Sequence, residues 1–165
     1  MSQSALPTLE RLPHPSPVAD EVRAGLIADP GFGKVFTDHM VTIKYSEGQG
    51  WHSATLGPRG PLTLDPATAV LHYAQEIFEG LKAYRLADGS MALFRPDANA
   101  RRFNQSARRL PMPELPESLF IDSIKALIDA DKAWFPPVEG GSIYIRPFMI
   151  ASEVFLGVKP SSEYL

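Results

Sequence analysis

Cysteine is absent from all 165 residues, which removes disulfides, thiolate metal sites and a cysteine nucleophile together. Long apolar runs are also missing, so no segment reads as a membrane span. The first residues carry no basic stretch followed by an apolar one, and the sequence predicts a soluble, cytoplasmic chain. Clustered positive charge is scarce: the formal net charge is −3, and basic residues are scattered except around Arg101, Arg102, Arg108 and Arg109. Binding of nucleic acid or an anionic membrane depends on neutralising phosphates with grouped Lys and Arg, so neither is expected. No G-x-S-x-G, P-loop or dinucleotide fingerprint occurs. His72 lacks a second ligand at metal spacing, and no metal site is expected. The lysines, Lys34, Lys44, Lys82, Lys125, Lys132 and Lys159, read as surface charges rather than as a desolvated amine suited to covalent catalysis.

What is present is enough apolar content, 44%, to bury the core of one domain. Residues 1–30 contain Pro7, Pro13, Pro15, Pro17 and Pro30, whose missing N–H groups disfavour regular structure, so an extended arm is expected. The β-branched run within His39–Tyr45 predicts a strand, turning at Glu47-Gly48-Gln49-Gly50 into another over Trp51–Leu56. Val70, Tyr73, Ala74, Ile77 and Phe78 have helical spacing, whereas Leu81–Arg85 alternates as a strand and pairs with Met91–Phe94 across an Asp88-Gly89 turn. Asp97 is a candidate N-cap for a helix that buries Ala100, Phe103, Ala107 and Leu110. A second helix starts near Pro116 and carries Leu119, Phe120, Ile124, Leu127, Ile128 and Trp134 on one stripe. Glu139-Gly140-Gly141 then leads into one β-rich run, Ser142–Ile150, and the segment from Val158 to Ser162 reads as a linker with no closing strand after it. The order of elements indicates an α+β domain with an antiparallel-rich sheet and two helices.

Few residues stand out as carriers of chemistry. In an unbroken strand over Ser142–Ile150, alternation places Tyr144 and Arg146 on one face, continued by Phe148 and Ile150. An aromatic beside a guanidinium could receive a carboxylate in bidentate fashion; the competing reading is an edge strand with Arg146 in water, which Pro147 favours. Arg102, in the first turns of its helix, either adds a fixed cation to the helix dipole and suits a phosphate, or belongs to a solvated face. Tyr73 and Phe78 are either core aromatics or walls of a pocket.

Five ordered motifs go further: F-G-K-V-F-T-D-H-M at 32–40, H-Y-A-Q-E-I-F-E-G-L-K-A-Y-R at 72–85, L-F-R-P-D-A-N-A-R-R-F at 93–103, S-I-Y-I-R-P at 142–147 and F-L-G-V at 155–158. Together they resemble the N-terminal part of the branched-chain amino-acid aminotransferases, pyridoxal-phosphate enzymes of fold type IV. The resemblance implies that the chain is the small N-terminal α+β domain of such an enzyme, with an arm over 1–31, the domain over 32–155 and the start of an interdomain linker over 156–165. It further implies a homodimer that transfers the amino group of Leu, Ile or Val to 2-oxoglutarate through pyridoxal 5'-phosphate, with amino acids and 2-oxo acids as small-molecule partners.

By the same resemblance, Arg102 matches the arginine that holds the cofactor phosphate. Phe32, Tyr73, Phe78 and Tyr144 match aromatics of the substrate pocket, with Tyr73 serving the neighbouring subunit. Arg146 matches the arginine for the distal carboxylate of glutamate or 2-oxoglutarate, and Leu156 and Val158 fall in the loop that closes over the substrate. The Schiff-base lysine belongs to the C-terminal domain of the family, and no lysine here matches it, so the resemblance implies no catalytic residue within this chain and no transamination by it alone. Rival implications are another fold type IV enzyme, a D-amino-acid transaminase or aminodeoxychorismate lyase, and a non-catalytic binding or dimerisation module.

Overall fold

The structure, a computed structural model, describes residues 6–138 and 140–165. Part of the expected arm, residues 1–5, and Glu139 of the Glu139-Gly140-Gly141 turn lie outside the described residues. The remaining arm is more regular than its prolines suggest. Strand β1 (Glu10–Arg11) adds in parallel to the edge of the first sheet, and helix α1 (Asp20–Ala28) occupies the one stretch between Pro17 and Pro30 that is free of proline. None of the α1 residues is buried, so the helix rests on its own backbone bonds and on Arg23, which reaches Asp20 at 2.7 Å and the Val18 carbonyl at 3.2 Å.

The expected hairpin forms from β2 (His39–Ser46) and β3 (Gly50–Pro58), paired antiparallel from His39↔Pro58 to Ser46↔Gly50. Gly48, at φ 84°, takes the left-handed conformation the tight turn needs. Beyond it, α2 (Ala69–Tyr73) is a single short helix that stops where Ala74 enters the left-handed region at φ 50°. The helix expected to run to Phe78 therefore does not: residues 76–78 form β4 (Glu76–Phe78), with Ile77 buried between the exposed Glu76 and Phe78. Short apolar runs satisfy helical and strand periodicity equally, and here sheet pairing decided the outcome.

Strands β5 (Leu81–Arg85) and β6 (Met91–Leu93) pair as expected, turning through Gly89 at φ 81°. Helix α3 (Pro96–Arg109) is capped differently from the expectation. The N-cap position is Arg95, Pro96 fills the first helical position where its missing N–H costs nothing, and Asp97 sits inside the first turn, favourably placed for the dipole. Ala100, Phe103 and Ala107 are buried as the stripe requires, whereas Leu110, just past the helix, is exposed.

Helix α4 (Glu117–Ala130) follows a proline-rich turn that Asn104 clasps from α3: its amide donates to the Leu115 carbonyl at 2.8 Å and accepts the Leu115 N–H at 2.9 Å. Phe103 and Phe120 meet across the helix pair with ring centroids 5.5 Å apart. Trp134 lies beyond α4, in a 3-10 turn over Lys132–Trp134, where it is buried and donates through Nε1 to Asp38 at 2.9 Å.

The run expected as one strand is two, β7 (Ser142–Ile145) and β8 (Phe148–Ile150), in different sheets. Pro147 has no N–H to give a ladder, and its carbonyl instead accepts the Glu79 N–H at 2.8 Å. The face expected from alternation runs exposed through Tyr144, Arg146 and Phe148, but its last member, Ile150, is buried. Among the described residues strand β7 is an edge strand, paired with β5 alone, in agreement with the edge reading of Pro147. A closing strand also exists, against expectation. β9 (Glu163–Tyr164) pairs with β2, Tyr164 is buried against Tyr45, and Leu165 exchanges backbone hydrogen bonds with Ile150 at 2.9 and 3.0 Å.

The finished arrangement has a four-stranded sheet ordered β1-β3-β2-β9, a pair β4-β8, and a three-stranded sheet β6-β5-β7. The pairs within them are antiparallel except β1 with β3. The shared core, with Phe103, Phe120, Phe135, Met149 and Tyr164 among its largest members, lies between these sheets and α3 and α4.

Candidate functional site

Where β4 meets β5 and where β7 meets β8, the chain turns at neighbouring points, and polar groups gather there. Arg146 donates through Nη2 to the Tyr144 hydroxyl at 2.8 Å, and its guanidinium lies over the rings of Phe78 at 4.6 Å and Tyr144 at 5.3 Å. Phe32 packs against Tyr144 at a tilt, with ring centroids 5.4 Å apart. Phe32, Phe78 and the near neighbours Tyr144 and Arg146 thus form one aromatic and cationic cluster. All four are exposed, Phe78 by 63% and Phe32 by 76%, so the cluster is a surface of the chain rather than part of its core. Nε of Arg146 also reaches the Tyr144 hydroxyl, at 3.3 Å, and the planar guanidinium, whose Nη1 has no protein hydrogen-bond partner among the described residues, can bind a carboxylate there.

Beside the cluster, an apolar cleft of about 700 Å³ opens between the 30–36 loop, the β2–β3 hairpin, α4 and the β7–β8 turn. Phe32, Tyr144 and Arg146 are on its lining; Tyr73, Phe78, Arg102, Leu156 and Val158 are not. Tyr73 stands at the end of α2 with its ring 6.1 Å from that of His72, whose Nε2 contacts the Pro66 carbonyl at 2.7 Å. Val158 is 95% exposed and Leu156 is exposed as well, so neither closes over anything within this chain.

Arg102 projects from α3 to Glu79, the residue between Phe78 and Gly80. Nε and Nη2 reach the two carboxylate oxygens at 2.5 and 2.6 Å, a side-on bidentate pair. The two partners differ sharply in setting, with the Glu79 side chain 4% exposed and that of Arg102 63%. Asn99, one turn earlier on α3, donates to the same carboxylate at 2.9 Å and to the Gly80 carbonyl at 3.3 Å. Burial pushes the Glu79 carboxyl up, but the hydrogen bonds from Arg102 and Asn99 and the arginine charge outweigh it and hold it below its ordinary value of 4.5. Glu79 is therefore a buried carboxylate that is ionised at neutral pH.

Sequence reasoning singled out Arg102 but passed over Glu79 and Asn99. A signal was available: Asn99 and Arg102, at i and i+3, share a helix face. The dipole part of the Arg102 reading does not hold. Arg102 lies six residues after Pro96, about 9 Å along the axis, and the dipole effect fades within the first turn. The guanidinium is nonetheless held in place by Glu79. Among the described residues Nη1 of Arg102 has no protein hydrogen-bond partner, and the side chain is exposed, so it fits a phosphate oxygen approaching from outside. Each of the six lysines is exposed, as expected of surface charges. No group of metal ligands occurs among the described residues, and no described helix is long and apolar enough to cross a membrane.

No protein-family profile matches the chain. A solved structure similar to it, the T.th. branched-chain amino acid aminotransferase complexed with N-(5'-phosphopyridoxyl)-L-glutamate, has a TM-score of 0.54 at 24% identity, over 75% of this chain and 38% of that one. The fold is thus that of the small α+β domain of fold type IV pyridoxal-phosphate enzymes. In sequence, the chain is 60% identical over 161 residues to a probable branched-chain-amino-acid aminotransferase of Streptomyces coelicolor, covering 96% of this chain and 44% of the relative. It is 59% identical over 150 residues to the branched-chain-amino-acid aminotransferase of Mycolicibacterium smegmatis, covering 90% and 41%. The chain belongs to the branched-chain-amino-acid aminotransferase family, as its N-terminal portion, and spans less than half the length of the curated relatives it matches.

Proposed function

We propose that the chain is the small domain of a homodimeric, cytoplasmic aminotransferase that moves the amino group of Leu, Ile or Val to 2-oxoglutarate. The observation that carries this reading is the cluster of Phe32, Phe78, Tyr144 and Arg146, in which apolar walls surround a single cation. One site must accept a branched aliphatic side chain and then the charged side chain of glutamate, and that combination serves both. In this reading the aromatic rings exclude water from the aliphatic substrate, and Arg146, steadied by the Tyr144 hydroxyl, binds the distal carboxylate of glutamate.

Pyridoxal phosphate, when bound, supplies the electron sink and amino carrier for the reaction. This chain contributes Arg102, whose exposed side chain keeps Nη1 free of protein partners among the described residues and is assigned to hold the phosphate. The Schiff-base lysine is assigned to a part of the subunit outside this chain. Residues 1–31 are assigned as an arm, 32–155 as the domain and 156–165 as the interdomain segment, with β9 tethering that segment to the β2 edge. Leu156 and Val158, exposed here, are assigned to the loop that closes over substrate, and Tyr73 to the site of the neighbouring subunit. The exposed apolar residues support both assignments, because a surface this apolar calls for a covering partner.

The test is a substrate profile of the full-length subunit that carries this sequence, with pyridoxal phosphate and 2-oxoglutarate. Glutamate formed from L-leucine but not from D-alanine, without turnover of aminodeoxychorismate, is the expected result; the reverse preference would overturn the reading. The 165-residue chain alone is expected to give no borohydride-reducible lysine adduct and no activity on leucine.

A further inference from the structure

We infer that Glu79 and Asn99 are positioning residues for the cofactor phosphate, acting through Arg102; the inference rests on the reading that Arg102 holds that phosphate. An arginine on an exposed helix face samples many rotamers, and each must be given up before a ligand is held. Here that freedom is already removed. Glu79 takes the Nε and Nη2 edge at 2.5 and 2.6 Å, which fixes the guanidinium plane and leaves Nη1 as the free corner. Asn99 locks the carboxylate in turn, at 2.9 Å, and ties it to the Gly80 carbonyl. Glu79 also donates its own N–H to the Pro147 carbonyl, one residue from Arg146, so the backbone segments that set the phosphate-facing and the substrate-facing arginine are joined by a direct hydrogen bond.

Two effects of Glu79 on a phosphate oppose each other. Its negative charge partly cancels that of Arg102 and weakens long-range attraction, whereas its fixed geometry aims the remaining donor. The exposed position of Arg102 decides between them, because water screens the charge but does not restore the orientation.

The experiment compares the full-length subunit with its Glu79→Gln, Asn99→Ala and Arg102→Ala variants, measuring binding of pyridoxal phosphate and of pyridoxal, which lacks the phosphate, by cofactor absorbance at equilibrium. Glu79→Gln and Asn99→Ala are expected to weaken pyridoxal phosphate by about tenfold, the scale on which outer hydrogen-bond partners tune a ligand-holding group. Pyridoxal binding should stay within about twofold, since it makes no use of Arg102. Unchanged or tighter pyridoxal-phosphate binding in Glu79→Gln would overturn the inference, as would an equal loss for both compounds, which marks a general structural role. If Arg102→Ala itself leaves the ratio of the two affinities unchanged, the phosphate reading fails, and the positioning role fails with it. A lowered ratio in Arg102→Ala without one in the other variants rejects the positioning role alone. Asn99→Ala removes no charge, so it remains informative should Glu79→Gln fold poorly.

Discussion

The Tyr144 hydroxyl occupies the space that a β-carbon on Gly80 would need, closer than side chains ever approach one another. Gly80 is half-buried at the β4–β5 junction, and its missing side chain lets Tyr144 lie across the strand and accept the hydrogen bond from Arg146.

Gly80→Ala is therefore expected to displace Tyr144 and free Arg146. Tyr144 is partly exposed and can swing outward, so the loss of stability should stay below about 1.5 kcal/mol. Function should suffer more than folding: in the full-length subunit the KM for glutamate rises while that for leucine changes less. Urea unfolding and steady-state kinetics on both substrates check the two halves of this expectation.

Glu79 makes stability depend on acid. Its carboxyl is held below the ordinary 4.5, so the unfolded chain binds its proton at a higher pH than the folded one. The stability it contributes is complete above that ordinary value and is lost as pH falls through the lower, folded value. Glu79→Gln should cost about 1–3 kcal/mol at neutral pH by breaking a buried charge-assisted bond. The gap between variant and parent should shrink steadily as pH drops below 4.5. Urea melts across the acid range test this; a constant gap would show that Glu79 is not the titrating group.

Much of this was legible in the sequence, and the exceptions have physical reasons. The β2–β3 and β5–β6 hairpins and the two long helices follow from β-branched runs, Gly-containing turns and apolar stripes, all of them local signals. Phe78 reads as part of a helix and Ile150 as continuing the exposed Tyr144–Arg146 face, and both depart from this because their positions depend on β4 pairing with β8, a long-range contact. The closing strand was missed for the same reason: two residues gain strand structure only from β2. At the site, Tyr144 and Arg146 were foreseen from alternation, and they do meet, although through a side-chain hydrogen bond at a chain turn. Glu79 escaped notice because a carboxylate before a glycine reads as surface until Arg102 and Asn99 arrive from α3.

Tyr164 offers a direct measure of what the closing strand contributes. The residue is 2% exposed, whereas its hydroxyl lies 3.4 Å from Gln75 and 3.5 Å from the Pro111 carbonyl, too far for strong bonds. Tyr164→Ala is expected to cost about 3–5 kcal/mol through the cavity it leaves. Tyr164→Phe should cost less than about 1 kcal/mol. Chemical denaturation of the two variants separates packing from hydrogen bonding, and equal losses would contradict the assignment to packing.

Asp131 joins the end of α4 to the start of β2. Its side chain is 4% exposed and accepts from the His39 N–H at 3.2 Å while its other oxygen meets His39 Nδ1 at 2.7 Å. Asp131→Ala leaves a backbone donor and a ring nitrogen without their partner in a half-buried place, and should cost about 1–3 kcal/mol. Lys125, whose ion pair with Asp122 spans 3.8 Å with both side chains mostly in water, is the contrast. Lys125→Ala should change stability by no more than about 0.5 kcal/mol. Raising the salt concentration should erase the Lys125 effect and leave that of Asp131, because counterions screen exposed pairs and reach buried ones poorly. Urea unfolding of both variants at low and high salt provides the comparison, and a salt-sensitive Asp131 effect would count against a buried link between α4 and β2.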